Sequence, residues 1–266
     1  MLVPIIFLIY VQAGELSNLR IWGGRDAEPN EFPYVVAIEN RNKKGKESTE
    51  TFSSHCTGSL IAPSWTLTAG HCVEFAPSRQ NKLVITYTMD GKKTRYNVLY
   101  MIAHPNMILN LKNAANDIGL MKNEEVKHVT YAKLSAVDYT TLVGLEALSV
   151  GYGRMNTDNG LEAASSGNNT LQVMEVMFIR CFDLNLNKPA MCTTTKCGVN
   201  SFICSGDSGG PIIHKSGVVA VHSMGHDCRK TNILPRKLGV FEIAGISAPV
   251  SPYFSWILEQ MRLGNV

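Results

Sequence analysis

Short apolar runs broken by turn residues recur along most of the chain from Phe32 onward. Many of these runs are rich in Val, Ile, Tyr and Thr and are bounded by Gly, Pro, Asn or Asp, a pattern typical of β-strands. Several short strands separated by turns predict an all-β sandwich or barrel. The predicted strands are Tyr34–Ile38, Ser59–Ala62, Lys82–Tyr87, Tyr96–Ile102, Ile118–Met121, Ala147–Gly151, Leu171–Ile179, Pro211–His214 and Val218–Val221.

The end of the chain follows a helical period instead. Four apolar residues spaced i, i+3, i+4 and i+7 would share one helical face: Phe254, Ile257, Leu258 and Met261. Ser251 is placed to cap the first turn, and Pro252 suits the first helical position. We therefore predict β-strands followed by a C-terminal α-helix.

Residues 1–13 are predicted to form a signal peptide. Leu2–Val11 is apolar, and small residues, Val11 and Ala13, stand where signal peptidase requires them before Gly14. The run is too short to cross a bilayer, which needs about 20 apolar residues. The alternative is a buried N-terminal strand. We predict a secreted, extracellular protein folded in an oxidising compartment, with no membrane segment.

Composition limits the remaining classes of function. The chain has 266 residues, 45% of them hydrophobic and 18% charged, which excludes wholesale disorder. A formal net charge of +3 is too mild to indicate nucleic acid or an anionic membrane as a partner. An odd number of cysteines in a secreted chain leaves at least one without an intramolecular partner. The seven cysteines are Cys56, Cys72, Cys181, Cys192, Cys197, Cys204 and Cys228.

Three segments carry candidate chemistry: Leu67–Cys72 (LTAGHC), Asn116–Leu120 (NDIGL) and Cys204–Pro211 (CSGDSGGP). Taken singly, the histidine could be structural or a metal ligand, the aspartate a turn residue and the glycine-rich motif a tight turn. Together they supply what acyl transfer by a serine requires. The hydroxyl needs an imidazole to accept its proton and a carboxylate to orient that imidazole. The developing oxyanion needs pre-aimed backbone N–H donors, and glycine permits the turn that aims them.

These segments, in this order, resemble the chymotrypsin/trypsin family of serine endopeptidases over essentially all of Ile21–Val266. The resemblance implies that Ser208 is the nucleophile, His71 the general acid and base, and Asp117 the orienting carboxylate. It also implies an oxyanion hole formed by the backbone N–H groups of Gly206 and Ser208.

The resemblance further implies two six-stranded antiparallel β-barrels side by side, with the catalytic cleft between them. The first barrel would carry His71 and Asp117 and the second Ser208, with the barrels meeting near residues 130–145. Residues 21–266 would then form one trypsin-like protease domain, closed by the C-terminal helix.

A zymogen is implied as well. Residues 14–20 would be an activation propeptide that is removed by cleavage after Arg20. The freed amine of Ile21 would pair with Asp207, and a buried ion pair of this kind can act as a switch. Trp22 departs from the smaller aliphatic residue that is usual in the family.

The substrate pocket would be formed by Phe202, Ser223, Met224, Gly225 and Gly239. Trypsin-like enzymes carry an aspartate where this chain has Phe202, so cleavage after Lys or Arg is not expected. We predict a preference for uncharged apolar or small side chains; alternatively, Phe202 turns into the core or plugs the pocket. Because the site after Arg20 is basic, a separate trypsin-like protease would activate the enzyme.

The resemblance pairs six cysteines as Cys56–Cys72, Cys181–Cys192 and Cys204–Cys228, with Cys197 left over. The choice between Cys192 and Cys197 as the partner of Cys181 stays open. A sequon predicts glycosylation at Asn168.

No cofactor and no metal ion are expected. The segment Tyr87–Lys93, near where some family members bind calcium, has one carboxylate and two lysines, which suits Ca²⁺ poorly. The implied partners are protein or peptide substrates, the activating protease and protein protease inhibitors.

Two other functions are alternatives. A non-catalytic homologue of these proteases would act as a binding or regulatory partner. Trp22, Phe202, and Met224 in place of the tryptophan usual in the family, are departures that favour it. Such proteins commonly lose a residue of the triad, however, and here all three are present. A protease inhibitor or structural β protein would leave the triad residues unexplained.

Overall fold

The computed structural model describes residues 24–42, 50–76, 83–110, 113–127, 129–153, 170–181, 189–195, 203, 206–225, 237–238, 241–242 and 244–264. Within these ranges the regular secondary structure is mostly β-strand. The strands are β1 Arg25–Asp26, β2 Val35–Asn42, β3 Thr51–Ala62, β4 Trp65–Thr68, β5 Leu83–Met89, β6 Lys92–Ala103, β7 Ile108–Asn110, β8 Asn113–Ala115, β9 Gly119–Asn123, β10 Glu146–Gly151, β11 Gln172–Ile179, β12 Met191–Thr195, β13 Pro211–His214, β14 Gly217–Met224, β15 Lys237–Leu238, β16 Phe241–Glu242 and β17 Gly245–Pro249.

In the described residues, helical structure is confined to short segments. The α-helices are α1 Gly70–Glu74 and α2 Phe254–Leu263, and 3₁₀ turns span Tyr139–Leu142 and Ser251–Tyr253. None of the helices in the described ranges is long and apolar enough to cross a bilayer.

The first barrel closes in the order β2-β3-β4-β9-β6-β5, and every pairing is antiparallel. Its interior is filled by aliphatic side chains that alternate along the strands, including Ile38, Leu83 and Ile85. The intervening β2 residues, Val35 and Ala37, are buried as well, in a second apolar cluster, so this strand reads as a continuous apolar run. α1 leaves this barrel directly after β4 and carries His71.

The second barrel is a closed ring of β10, β11, β12, β17, β14 and β13, again antiparallel throughout. β1 adds to its outside by pairing with β11. Phe178, Val176 and Ile212 lie in its core. With the C-terminal α2, the two six-stranded barrels confirm the predicted fold class.

An apolar interface joins the two barrels. Leu67 and Leu120 from the first barrel share one buried cluster with Val218 and Val221 from the second. The last strand of the first barrel ends at Asn123 and β10 begins at Glu146, so residues 124–145 connect the two. Because this interface is buried, the barrels are held in a fixed position relative to each other, and so are the side chains on their facing loops.

The predicted C-terminal helix forms, but two details of the prediction were wrong. Ser251 does not cap it, since the Ser251 hydroxyl accepts the Tyr139 N–H at 3.3 Å from another part of the chain. Leu258 is 54% exposed, and Ile257 is the buried residue of α2. The helix meets the barrel interface along one narrow edge, so a residue one position from Ile257 already faces solvent.

Candidate active site

His71 sits at the start of α1, with its side chain 16% exposed. Space at position 70 is tight, because the start of the helix lies against Met107 and the Ile118 backbone. A Cβ on Gly70 would lie 2.5 Å from Met107 Sδ and 3.1 Å from Ile118 N. Cys72, the residue after His71, forms a disulfide with Cys56 on β3. His71 is therefore held from both sides.

Asp117 is buried directly against His71. Its Oδ1 accepts the His71 backbone N–H at 2.7 Å, and its Oδ2 lies 2.8 Å from His71 Nδ1. A carboxylate at Nδ1 keeps the proton on that nitrogen, which leaves the Nε2 lone pair free to accept one. The Ser223 hydroxyl, from β14, also donates to Oδ2, at 2.5 Å. The arrangement prepares the imidazole to act as a base.

Ser208 lies in a turn before β13 and is partly exposed. The first barrel holds this turn through two hydrogen bonds from Thr57 on β3. Its N–H donates to the Ser208 carbonyl and its hydroxyl donates to the Gly206 carbonyl, each at 2.8 Å. Sγ of Cys72, in the disulfide, lies 3.6 Å from the Ser208 carbonyl oxygen. The serine turn of one barrel is thereby fixed beside the histidine helix of the other.

Glycine is required twice in this turn. Gly206 has φ +101° and Gly209 has φ +80°, values that side-chain-bearing residues rarely adopt. A Cβ on Gly209 would also lie 2.0 Å from Thr68 Oγ1. Within the described residues, the N–H groups of Gly206 and Ser208 donate to no backbone acceptor. Such donors are what an oxyanion hole requires.

Asp207, between these residues, points away from the surface and is buried. Its Oδ1 accepts the Gly153 N–H at 2.7 Å. Gly151 and Gly153 form a cradle around the carboxylate, because a Cβ on either would lie 2.3 Å from one of its oxygens. The carboxylate thus has a site shaped for it beneath the serine turn.

The predicted pocket is described only in part, on Ser223, Met224 and Gly225. Gly225 faces Ile203, a residue that was not predicted to line the pocket. A Cβ on Gly225 would lie 2.6 Å from the Ile203 carbonyl oxygen and 3.1 Å from its Cβ. Ile203 is itself 2% exposed, so these two walls are nearly in contact. Its place directly after Phe202 was the only sequence signal for it.

Several predicted residues lie outside the described part of the chain. These are the activation residues Arg20 and Ile21, the pocket residues Phe202 and Gly239, the cysteines Cys197, Cys204 and Cys228, and the sequon residue Asn168. The predicted signal peptide and the predicted propeptide, residues 1–13 and 14–20, lie there too.

The second disulfide in the described residues joins Cys181, just after β11, to Cys192 on β12. The structure thus pairs Cys181 with Cys192, as the resemblance implied. A possible metal-binding group, Cys56, His71 and Cys72, has its ligand atoms within 4.8 Å of one another. Because both sulfurs belong to the disulfide, they offer no thiolates, and the group supports no metal site.

A second histidine–serine contact lies in the second barrel and was not predicted. His222 Nε2 is 2.6 Å from Ser149 Oγ, and its Nδ1 is 3.3 Å from Ser247 Oγ. Complete burial lowers the pKa of His222 to about 3, so the ring is neutral. Substrate has no access to the group, and among the described residues no carboxylate bonds to the ring. It joins β10, β14 and β17 rather than forming a second active site.

Comparison with known proteins agrees with this geometry. A family model described as "Trypsin" matches residues 21–257. The chain belongs to the trypsin family. It is therefore a serine protease of the trypsin/chymotrypsin family, and its activity is proteolysis.

Individual relatives are distant. The protease is 26% identical over 276 residues to the CLIP domain-containing serine protease B4 of Anopheles gambiae, covering 91% of this chain and 70% of the relative. It is 28% identical over 231 residues to a trypsin of Simulium vittatum, covering 81% and 86%. The structure of mouse neuropsin, described as a serine protease of the limbic system, matches with a TM-score of 0.65 and 21% identity over 90% of this chain and 98% of that one. This last likeness supports the two-barrel fold alone.

Proposed function

We propose that this protease is a secreted endopeptidase that hydrolyses peptide bonds through an acyl-enzyme, with Ser208, His71 and Asp117 as its catalytic residues. The observation that carries the proposal is the hydrogen bond between Asp117 and His71 Nδ1, at 2.8 Å. It lies beside the Ser208 turn, which Thr57 of the first barrel holds in place. Its disulfides and the apolar run at residues 1–13 support secretion.

In the proposed reaction, His71 Nε2 accepts the Ser208 hydroxyl proton while Oγ bonds to the substrate carbonyl carbon. The carbonyl oxygen becomes an oxyanion, which accepts hydrogen bonds from the backbone N–H groups of Gly206 and Ser208. The C–N bond then breaks, and the imidazolium gives its proton to the departing amine. Water repeats the sequence on the acyl-enzyme and regenerates the Ser208 hydroxyl. Asp117 balances the imidazolium charge in both halves.

Activation is proposed to follow cleavage after Arg20. The new Ile21 amine would reach the carboxylate of Asp207 beneath the serine turn. Burial of that carboxylate and the glycine cradle around it support this role, since a buried carboxylate is favoured when a cation joins it. An ordered Asp207 would in turn order the N–H groups of Gly206 and Ser208 on either side.

For specificity, we propose cleavage after small uncharged residues. The close approach of Ile203 to Gly225 supports a narrow pocket, and no carboxylate is present among its described residues. An enzyme with this pocket would not cleave efficiently after Arg20 itself. A trypsin-like protease is therefore the proposed activator, protein or peptide chains the substrates, and protein protease inhibitors further partners.

The proposal is tested by cutting the purified zymogen after Arg20 and adding a fluorophosphonate probe. We expect labelling at Ser208 that is absent before cleavage and absent in the cleaved Ser208→Ala variant. A chain that stays unlabelled after confirmed cleavage would favour a non-catalytic binding or regulatory role. Secretion is tested separately, by finding whether the expressed full chain leaves the cell with its first residues removed at Gly14.

A further inference from the structure

Asn116, the residue before Asp117, has an unusual backbone conformation. Its φ is +51°, in the left-handed region that non-glycine residues seldom occupy. The Asn116 carbonyl accepts the Ile118 N–H at 2.8 Å, which closes a tight turn around Asp117. This turn aims the Asp117 side chain at His71. The direction of the carboxylate therefore depends on whatever keeps Asn116 in place.

Two side-chain bonds hold Asn116. Its Nδ2 donates to the Asn106 carbonyl at 2.6 Å, and its Oδ1 accepts the Tyr253 hydroxyl at 2.9 Å. Tyr253 ends the 3₁₀ turn that leads into α2, 137 residues along the chain. A residue from the C-terminal helical segment thus reaches the loop of the Asp117 carboxylate.

The Asn106 turn is itself packed against the site. Met107 N–H donates to the His104 carbonyl, and the His104 N–H donates to the Ile118 carbonyl, each at 2.9 Å. Met107 Sδ fills the space that a side chain at Gly70 would need. This turn therefore contacts the backbone next to His71 as well as that next to Asp117.

Aromatic contacts also pack the C-terminal helical segment against the turn that contains His104 and Asn106. The His104 ring meets the rings of Tyr253 and Trp256 edge to face, with centroid distances of 5.2 and 5.1 Å. Burial lowers the pKa of His104, which favours the neutral ring in this contact. Burial also raises the pKa of Tyr253 to about 12, so its hydroxyl keeps its proton. Tyr253 can donate to Asn116 throughout the neutral range.

We propose that Tyr253 is a positioning residue for the protease reaction, acting through Asn116 to hold the Asp117 carboxylate against His71. The C-terminal helical segment is then part of the machinery that aligns the catalytic residues, besides covering the barrel interface. The proposal rests on the function proposed above, because it assigns Asp117 the orienting role.

The chain offers a variant that removes only the relevant atom, and a matched control. Tyr253→Phe keeps the buried ring and its aromatic contacts and deletes the hydroxyl bond to Asn116. Tyr131→Phe deletes a similar part-buried bond, from the Tyr131 hydroxyl to the Val126 carbonyl at 2.8 Å, within the segment that connects the two barrels. The two variants should lose similar thermal stability, so a difference in catalysis reports positioning.

Both variants are cleaved after Arg20 and assayed on a peptide substrate. For Tyr253→Phe we expect kcat to fall about tenfold with KM within about twofold of the parent, because a small misplacement of a catalytic group slows the chemical step. Tyr131→Phe should keep the parent kcat. Equal kcat values for the two variants would overturn the proposal.

A double-mutant cycle with Asn116→Gly tests the route. Glycine tolerates the left-handed backbone but has no amide for Tyr253 to hold. In that background, Tyr253→Phe should change kcat by less than about twofold, since coupled residues are not additive. A full tenfold loss in both backgrounds would show that Tyr253 acts by another route and would overturn the proposal.

A readout that is independent of activity separates this proposal from the proposed function. The Nδ1–H of His71, bonded to Asp117, is followed by proton NMR in the full cleaved chain. We expect its resonance to shift or broaden in Tyr253→Phe and to be unchanged in Tyr131→Phe. A resonance unaffected by Tyr253→Phe would overturn the positioning role. An unlabelled parent enzyme would defeat the proposed function instead.

Discussion

The Ser223 hydroxyl donates to the same Asp117 oxygen that lies against His71 Nδ1. Asp117 precedes β9 in the first barrel, whereas Ser223 lies on β14 in the second, 106 residues away. The Asp117 carboxylate is therefore held by both barrels at once, and its direction depends on how they pack.

Ser223→Ala should lower kcat about tenfold, since a hydrogen bond to a charged group contributes about 1.5–3 kcal/mol and Asp117 would lose one. KM should change little, because only the side chain is removed from the strand. The measurement is steady-state hydrolysis of a peptide by the cleaved enzyme. Ser135→Ala, which removes a buried hydroxyl bonded to Ser216, is the control and should retain the parent kcat. An unchanged kcat in Ser223→Ala would contradict this role.

Asp117→Asn should reduce kcat by about four orders of magnitude, the loss that the wrong imidazole tautomer causes in a Ser-His-Asp triad. The amide can donate to Nδ1, which moves the ring proton to Nε2 and blocks proton transfer from Ser208. Single-turnover labelling by a fluorophosphonate measures this directly. Asp138→Asn, an exposed turn residue in the second half of the chain, should label at the parent rate. Comparable rates in the two variants would exclude Asp117 as the orienting residue.

Asp207→Asn should leave the chain unable to gain activity on cleavage. The amide cannot form the proposed ion pair with the Ile21 amine, so the oxyanion donors at Gly206 and Ser208 would stay unordered. We expect the cleaved variant to label no faster than uncleaved parent zymogen. Cleavage itself is followed by gel shift, and Asp138→Asn again serves as the control. Normal activation of Asp207→Asn would refute the proposed switch.

Ile203→Ala should widen the pocket opposite Gly225. We expect kcat/KM for substrates with Leu or Phe at the cleaved position to rise at least about tenfold relative to those with Ala, because one or two added methylenes are worth about 1–3 kcal/mol in such a pocket. Peptide-library profiling gives the ratio. Ile212→Ala, the control, leaves a cavity in the same apolar cluster and should lower the free energy of unfolding by a similar amount, about 2–5 kcal/mol. It should leave the ratio of kcat/KM values unchanged. Strong cleavage after Lys or Arg by the parent would contradict the proposed specificity.

His222 should make the folded protein sensitive to acid. Its pKa is about 3 in the fold and about 6.5 in an unfolded chain, so below pH 6.5 the unfolded state binds the extra proton. Stability is therefore complete above pH 6.5 and falls by about 1.4 kcal/mol per pH unit as the pH drops towards 3. Between pH 7 and 4, the melting temperature should fall less steeply for His222→Asn than for the parent. His214→Gln, at a less buried ring, should follow the parent more closely.

The sequence by itself determined the class of fold and the choice of candidate catalytic residues. Each predicted apolar run overlaps an observed strand, because a short apolar run bounded by turn residues marks a segment that must bury its side chains. β4 and β12 were missed because each contains only two apolar residues and neither forms an apolar run. β1 was missed for another reason: two residues form a strand only because β11 is there to pair with them.

Only the tertiary structure decided what holds the candidate site together. The bonds from Ser223 to Asp117 and from Tyr253 to Asn116, and the contact between Ile203 and Gly225, join residues that are far apart in the sequence. No motif contains both partners of any of these contacts, and each residue alone is an ordinary serine, tyrosine or isoleucine. Local sequence fixes which residue types are offered to the site, whereas the packing of one barrel on the other fixes which atoms come within bonding distance.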